Sequence, residues 1–431
     1  MKMDKTNYKL RSILSNEIFE DSGWLLDAPN QEGPGLIRAE YEQKQLHLKD
    51  ENLGIYKFSD WLPICKTLNG SSAPITYKSE GLAKELGLSN LYITFSGYWP
   101  EKGAYMKTCS FKETEAYTVC ARMNPHKDKV LVVASAGNTA RAFAQVCSDN
   151  KIPLLLCVPE DNLNALWFDA PLNNCVKLIS SRAGSDYFDA IHLSNIAAGM
   201  DEYYPEGGAK NVARRDGMGT TTLSATTFIG RIPDYYFQAI GSGTGAIAAW
   251  EANLRLIEDG RFGNHKMKLM VSQNLPFTPI HDAWKADSRS MLPLDDDLAR
   301  KQVEEIEAKV LSNRKPPYPI IGGLYDAMKD AGGDILLATN EEGRNAAKLF
   351  QELEGNDIHP AAAIAVATLI NSTKNNEIEK DAVIMLNITG GGEELFKAER
   401  DLFYLKPILV FDINPDELSV KKALEGLFYL K

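Results

Sequence analysis

"KVLVVASAGNTARAFAQVCSDNKIPLLLCVPE", Lys129 to Glu160, is the stretch that decides the fold class. "KVLVVAS" is a continuous β-rich apolar run, as a strand buried on both faces should be. Gly137 breaks it, and "TARAFAQVCSDN" then carries apolar residues at helical spacing. "IPLLLCVP" is a second buried strand. Strand, helix and strand with short connections predict a right-handed parallel βαβ unit.

The same grammar recurs in "DYYFQAIGSGTGAIAAWEANLRLI", in "KMKLMVSQ" and near "AVIMLNITGGG". Alternating strands and helices over most of the chain predict an α/β fold with a mostly parallel sheet. The first fifty residues are polar and irregular, with a short strand-like "YKLRSI" and the turn-rich "DAPNQEGPG". "SRSMLPLDDDLARKQVEEIEAKVLSNRKPPYPIIGG" is charged and proline-rich, and reads as an exposed helix and loop covering one edge. Beyond about residue 405 the chain ends in the short apolar helix "VKKALEGLFYL".

At 431 residues the chain exceeds what one core fills, so two domains are expected. Its net charge of -11 argues against a general nucleic-acid binder, whose affinity comes from clustered cations. The six cysteines form no Cys-x-x-Cys pair and read as buried free thiols of a reducing compartment. No window approaches the roughly 20 apolar residues of a membrane span, and the N-terminus carries no apolar signal core. A cytoplasmic protein with no membrane or nucleic-acid partner is expected. No metal-ligand cluster is visible, no metal is expected, and none of the six scattered histidines is given a role.

In open parallel sheets ligands sit beyond the C-terminal strand ends. Three segments fall at such ends: "SAGNT", "GSGTG" and "TGGG". Gly241, Ser242, Gly243, Thr244 and Gly245 can expose successive N–H groups at a helix start, a phosphate cradle by geometry and dipole. The pattern also fits the dinucleotide fingerprint, which expects an acidic residue about 20 positions on, at a strand end. Glu258 and Asp259 stand at that distance, but in the polar helix end "RLIEDGRFG". Ser135, Ala136, Gly137, Asn138 and Thr139 suit a ligand carboxylate, and Asn138 a ring oxygen. Read alone, they suit a capped helix equally well. Thr389 follows a strand and could meet a ring nitrogen; the glycines after it also make an ordinary turn. No nucleophile elbow and no P-loop is present.

One ligand uses all three loops together with an amine. Pyridoxal phosphate brings a phosphate for "GSGTG", a phenolic oxygen for Asn138, a ring nitrogen for Thr389 and an aldehyde for a lysine. "TCSFKETEAY", Thr108 to Tyr117, offers Lys112 where an irregular segment becomes helical.

With these residues the chain resembles the fold-type-II pyridoxal-phosphate enzymes, tryptophan synthase beta-like, in the threonine-synthase branch. The resemblance rests on Ser110–Phe111–Lys112, Ser135 to Thr139, Gly241 to Gly245, "NVARRDGMGT" and "TGGG" from Thr389, and covers about residues 55 to 400. It implies two parallel-sheet α/β domains with the cofactor between them. These would be a large cofactor-binding domain (51–115 and 225–405) and a small mobile one (116–224), with an appendage (1–50) and a tail (406–431). "GYWPEKGAYMKTCSFKETEAY" and "LPICKTLNGSSAPITYKSEGLAKELGL" look more like the cysteate-synthase group than threonine synthases, which read "SFKDRG" at the lysine. The N-terminal "YKLRSILSNEIFED" looks like a segment that holds a Cys-x-x-Cys knuckle in related chains; Ser12 and Ser15 stand there here.

The implied chemistry starts from O-phosphoserine. Lys112 would remove the α-proton, phosphate would leave Cβ and sulfite would add, giving cysteate. Threonine synthesis from O-phosphohomoserine and water is the alternative. Ser135, Ala136, Gly137 and Thr139 would hold the carboxylate. Lys107, Lys210, Arg214 and Arg215 are the candidate cations for phosphate or sulfite. The resemblance also implies a homo-oligomer.

Overall fold

Strand Val130–Ala134, helix Asn138–Asn150 and strand Leu154–Pro159 form the expected unit, with the two strands parallel and in register from Leu131 opposite Leu154. The computed structural model describes residues 6–122, 124–126 and 128–428. The first five residues of the expected appendage and the last three of the tail lie outside them.

The unit sits in a five-stranded, all-parallel sheet with strands Tyr203–Pro205, Val130–Ala134, Leu154–Pro159, Val176–Ser181 and Leu409–Phe411 in that order. The last strand lies in the segment expected to be a tail, so the chain returns to this sheet after completing the other one. Three apolar residues were too short a run to read as a strand.

The second sheet has six strands: Asp334–Ala338, Lys268–Asn274, Tyr235–Ala239, Val383–Ile388, Asn90–Phe95 and Ile75–Lys78. All pairings are parallel except that of Ile75–Lys78, which joins antiparallel at one edge. Val383–Ile388 is buried along its whole length, because helices cover both faces. One core lies under helices Val212–Ile229 and Thr244–Asp259, the other under Asn340–Glu354 and Pro360–Lys374.

The N-terminal segment is more than an appendage. Strands Tyr8–Ser12, Ile18–Phe19 and Ile37–Tyr41 form a small antiparallel sheet. Its Tyr8, Leu10, Ile37 and Tyr41 join the first core of the large sheet. Ser12 and Ser15 lie at one end of it, where the Ser15 N–H donates to Ser12 Oγ at 3.1 Å. Among the described residues no three His, Cys, Asp or Glu side chains gather as a metal site. No described helix is long and apolar enough to cross a membrane. Of the cysteines expected to be buried, Cys109, Cys120, Cys147 and Cys157 are, whereas Cys175 is half-buried and Cys65 exposed.

Candidate active site

The lysine segment and the Thr389 loop are almost three hundred residues apart in sequence, yet they pair through their backbones. Phe111 N–H donates to Thr389 O at 2.9 Å, and Gly391 N–H to Cys109 O at 3.0 Å. Cys109 takes φ 51°, which turns the chain so that helix Lys112–Ala121 begins at the lysine. The glycine run allows this close approach. A Cβ on Gly390 would lie 2.9 Å from Cys109 O of the lysine segment, and Gly392, with φ 74°, would set one 1.7 Å from Tyr98 O.

Lys112 Nζ lies 3.2 Å from Glu115 Oε2, one helical turn on, and 4.9 Å over the Phe111 ring. Burial lowers the Lys112 pKa below the ordinary lysine value; Glu115 opposes that and Arg214 adds to it. Arg214 Nε is 3.2 Å from the same Glu115 oxygen, and its Nη1 donates to Glu206 Oε2 at 2.6 Å. Burial pushes the Glu206 carboxyl upward, with Arg214 opposing. Each of the two carboxylates keeps one buried oxygen without a hydrogen bond, Glu115 Oε1 and Glu206 Oε1.

Three adjoining cavities meet here. One is lined by Lys112, Asn138, Gly241, Ser242, Gly243, Thr244, Gly245 and Thr389, with Gln238 and His359. The second is lined by Lys112, Ser135, Ala136, Gly137, Asn138, Thr139 and Arg214, with Tyr187 and Asn313. The third runs outward past Arg141, His359, Glu393 and Lys397. Asn138 and Val310 line all three. Val310 belongs to the proline-rich segment expected to cover an edge. Its helix Asp296–Glu305 is exposed as expected, but the loop after it turns inward against the phosphate loop.

Of the sequence candidates, every cofactor residue lines the first cavity, and every substrate residue but Lys107 lines the second. Lys107 is half-exposed, 3.7 Å from Asp169. Lys210 pairs with Asp27 at the surface. Arg215 is buried against Glu251 on the side of the N-terminal sheet. Of the four cations, only Arg214 reaches the cavities. Histidines were given no role, yet His359 lines two of them, with Nε2 3.0 Å from Glu393 Oε2. Glu115 and Arg141 were also missed. Each stands three residues after a named candidate on a helix, a spacing that sets side chains on one face.

The cavity fits pyridoxal phosphate. Thr244 opens a 16-residue helix whose first N–H groups have no intrahelical acceptor, and Gly243 before it has φ 79°. A Cβ on Gly245 would lie 2.6 Å from Gln238 Nε2, so glycine lets the helix start sit close against Gln238 in the cavity wall. The dinucleotide alternative lacks its ribose ligand. Asp259 accepts from Leu46 N–H and pairs with Arg261, while Glu258 pairs with Lys44. Nor does the capped-helix reading of "SAGNT" hold. Gly137 is the cap residue and no side chain caps that helix, which leaves Asn138 facing the cavities.

Comparison with known proteins agrees. The family model for pyridoxal-phosphate dependent enzymes matches residues 76–390. The chain is 49% identical over 389 residues to a cysteate synthase of Methanosarcina mazei, covering 89% of this chain and 93% of that one. It is 42% identical over 425 residues to a cysteate synthase of Methanospirillum hungatei, covering 98% and 99%. Among solved structures, maize serine racemase superposes with a TM-score of 0.58 at 15% identity, over 82% of this chain and 93% of that one. A processed threonine deaminase of Solanum lycopersicum superposes with a TM-score of 0.52 at 17% identity, over 78% and 95%. The chain belongs to the fold-type-II pyridoxal-phosphate-dependent enzymes, with pyridoxal phosphate as its cofactor.

Proposed function

We propose that the chain makes L-cysteate, replacing the phosphate of O-phospho-L-serine with sulfite. The observation that carries this reading is the adjacency of two cavities, one suited to the cofactor and one to an anionic amino acid, with Lys112 and Asn138 in both walls. The shared name of the curated relatives, cysteate synthase, supports the product.

When bound, pyridoxal phosphate withdraws electron density from the substrate α-carbon, easing loss of its proton and of a β-substituent. Lys112 is the residue to take that proton. Its burial favours the neutral amine a base must be, and Glu115 holds Nζ near the wall shared by both cavities. The substrate carboxylate suits the start of helix Asn138–Asn150. Ser135 N–H is already bound to Cys157 O and Gly137 N–H to Ser135 Oγ. The N–H groups of Ala136, Asn138 and Thr139 are the ones left for the carboxylate. Thr389 is suited to the ring nitrogen, since a hydroxyl offers a hydrogen bond without a full charge. Arg214 is the cation for the leaving phosphate, its guanidinium held between Glu115 and Glu206.

The same reading has a phosphorylated amino acid and an inorganic nucleophile as the small-molecule partners, and a homo-oligomer in the cytoplasm. It also keeps a large cofactor-binding domain and a small mobile one, but not the bounds at 224 and 405, since helix Val212–Ile229 stays whole on the core of the large sheet and strand Leu409–Phe411 joins the sheet of the small domain.

The test supplies O-phosphoserine with sulfite, and separately O-phosphohomoserine, and identifies products by mass. Cysteate and phosphate are expected from the first mixture. Threonine from the second, with nothing from the first, would overturn the substrate while leaving the cofactor standing.

A further inference from the structure

Arg141 is the most heavily engaged buried cation near the site. It lies one turn into helix Asn138–Asn150 and is 1% exposed. Its Nε and Nη2 donate to Thr108 O at 3.2 and 3.0 Å, and its Nη1 to Ala165 O at 2.7 Å. Nη2 also donates to Asn138 Oδ1 at 3.2 Å and lies 3.5 Å from Glu393 Oε2. The guanidinium stacks on Trp167 at 4.1 Å. Glu393 is held in turn by His359 Nε2 at 3.0 Å and Lys397 Nζ at 2.6 Å. Burial alone would raise the Glu393 carboxyl, but His359, Arg141 and Lys397 keep it well below the usual carboxylate range.

One side chain therefore touches the lysine segment at Thr108, the Asn138 amide, and the first residue after the "TGGG" run. Removing a guanidinium from water is costly, and an apolar residue of similar volume often packs as well or better. The position needs something that only a fork of donors supplies.

That need is visible at Asn138. A guanidinium has no acceptor, so the amide must turn its oxygen towards Arg141. A flipped amide would oppose N–H to N–H and lose the hydrogen bond from Nη2. The Nδ2 group is then the side of the amide left for the cavities that Asn138 lines. It can donate to an anionic ring oxygen; a free amide would offer its own oxygen for part of the time.

We propose that Arg141, with Glu393 as its counter-charge, is a positioning residue for the cofactor. It fixes the Asn138 amide as a donor towards the cofactor's ring oxygen. This rests on the reading of Asn138 as the ligand of the cofactor's ring oxygen.

The experiment is a double-mutant cycle on the holoenzyme with Arg141→Met and Asn138→Ala. It reads the cofactor's dissociation constant and the position and pH titration of its visible band. Arg141→Met alone should weaken cofactor binding about tenfold, the scale of one lost hydrogen bond, and move the band. In the Asn138→Ala background the same change should alter affinity less than twofold. Additive effects would overturn the proposal, since a merely structural arginine acts without regard to Asn138. Asn138→Ala that leaves band and affinity unchanged would instead remove the underlying site reading. Arg141→Lys keeps a buried charge but cannot span the three acceptors. A moved band is expected for it, whatever the apoprotein melting curve does; an unmoved band with a lowered melting curve would sink the idea.

Discussion

At the scale of single residues, two neighbours in "SFKE" titrate in opposite directions for one reason. Burial removes water from both Lys112 and Glu113, and each neutral form gains. For Lys112 this makes a usable base, and the cofactor would take it as its covalent anchor. Lys112→Ala should abolish the visible cofactor band and lower turnover by at least about a thousandfold; absorbance and product mass check both. An unchanged band would rule out the lysine. Glu113 has a structural task, since Thr108 N–H and Oγ1 both donate to its Oε2 at 2.9 Å. Its carboxyl is nonetheless pushed up to about 7 by burial, against those hydrogen bonds. An acid with a raised folded pKa keeps its proton longer in the folded chain than in the unfolded one. Stability should therefore fall as pH rises from about 4.5 towards 7, by about 3 kcal/mol for this group. Glu113→Gln should flatten that part of the stability–pH curve measured by denaturant unfolding. An unaltered slope would assign the pH dependence elsewhere.

At the scale of elements, the site depends on two loops held back to back, and "TGGG" makes that possible. Gly392→Ala would set a Cβ against Tyr98 O in a backbone conformation that L side chains rarely adopt. It should cost about 3 kcal/mol or more and push the Thr389 loop away from Tyr98. The apoprotein should then unfold at lower denaturant, and cofactor affinity should fall with it. An unchanged midpoint would show that the loop has room to shift. The elements that sequence made legible are those with an unbroken apolar run and a glycine stop: Val130–Ala134, Tyr235–Ala239 and Val383–Ile388 all lie where the pattern set them. Leu409–Phe411 was not legible, because three residues at a sheet edge, with Val410 exposed, carry too little periodicity. Nor was the inward turn at Val310. A charged, proline-rich segment reads as surface, and only tertiary contact with Gly241 makes it a cavity wall. The site followed the same division. Residues in loops at strand ends were found, while His359 and Glu393 acquire meaning only from each other.

At the scale of the whole molecule, the cavities lie between the two sheets, and an ion-pair cluster ties the segment beside one to a helix beside the other. Helix Tyr187–Ala198 packs on the five-stranded sheet, and Asp186 and Asp189 close its start as a capping box. Arg314 Nε lies 2.7 Å from Asp186 Oδ2, and Arg300 Nη1 lies 3.0 Å from Asp189 Oδ2. Both arginines come from the segment that carries Val310, and Tyr187, next to Asp186, lines the substrate cavity. The two pairs should differ in weight. Arg314 and Asp186 are nearly buried, with side chains 4% and 10% exposed, so removing the arginine leaves Asp186 only the partly exposed Arg300, 3.6 Å away, at a cost of about 3 kcal/mol. Arg300 is one-third exposed and screened, worth about 1 kcal/mol or less. Arg314→Ala should therefore loosen the cavity wall, raising KM for O-phosphoserine about tenfold or more, and hydrogen exchange should quicken at Tyr187 and around Val310. Arg300→Ala should change KM less than threefold, and that small effect should vanish in high salt. Equal effects from the two variants, or exchange unchanged at both segments, would mean that the cluster caps a helix and does not hold the cleft.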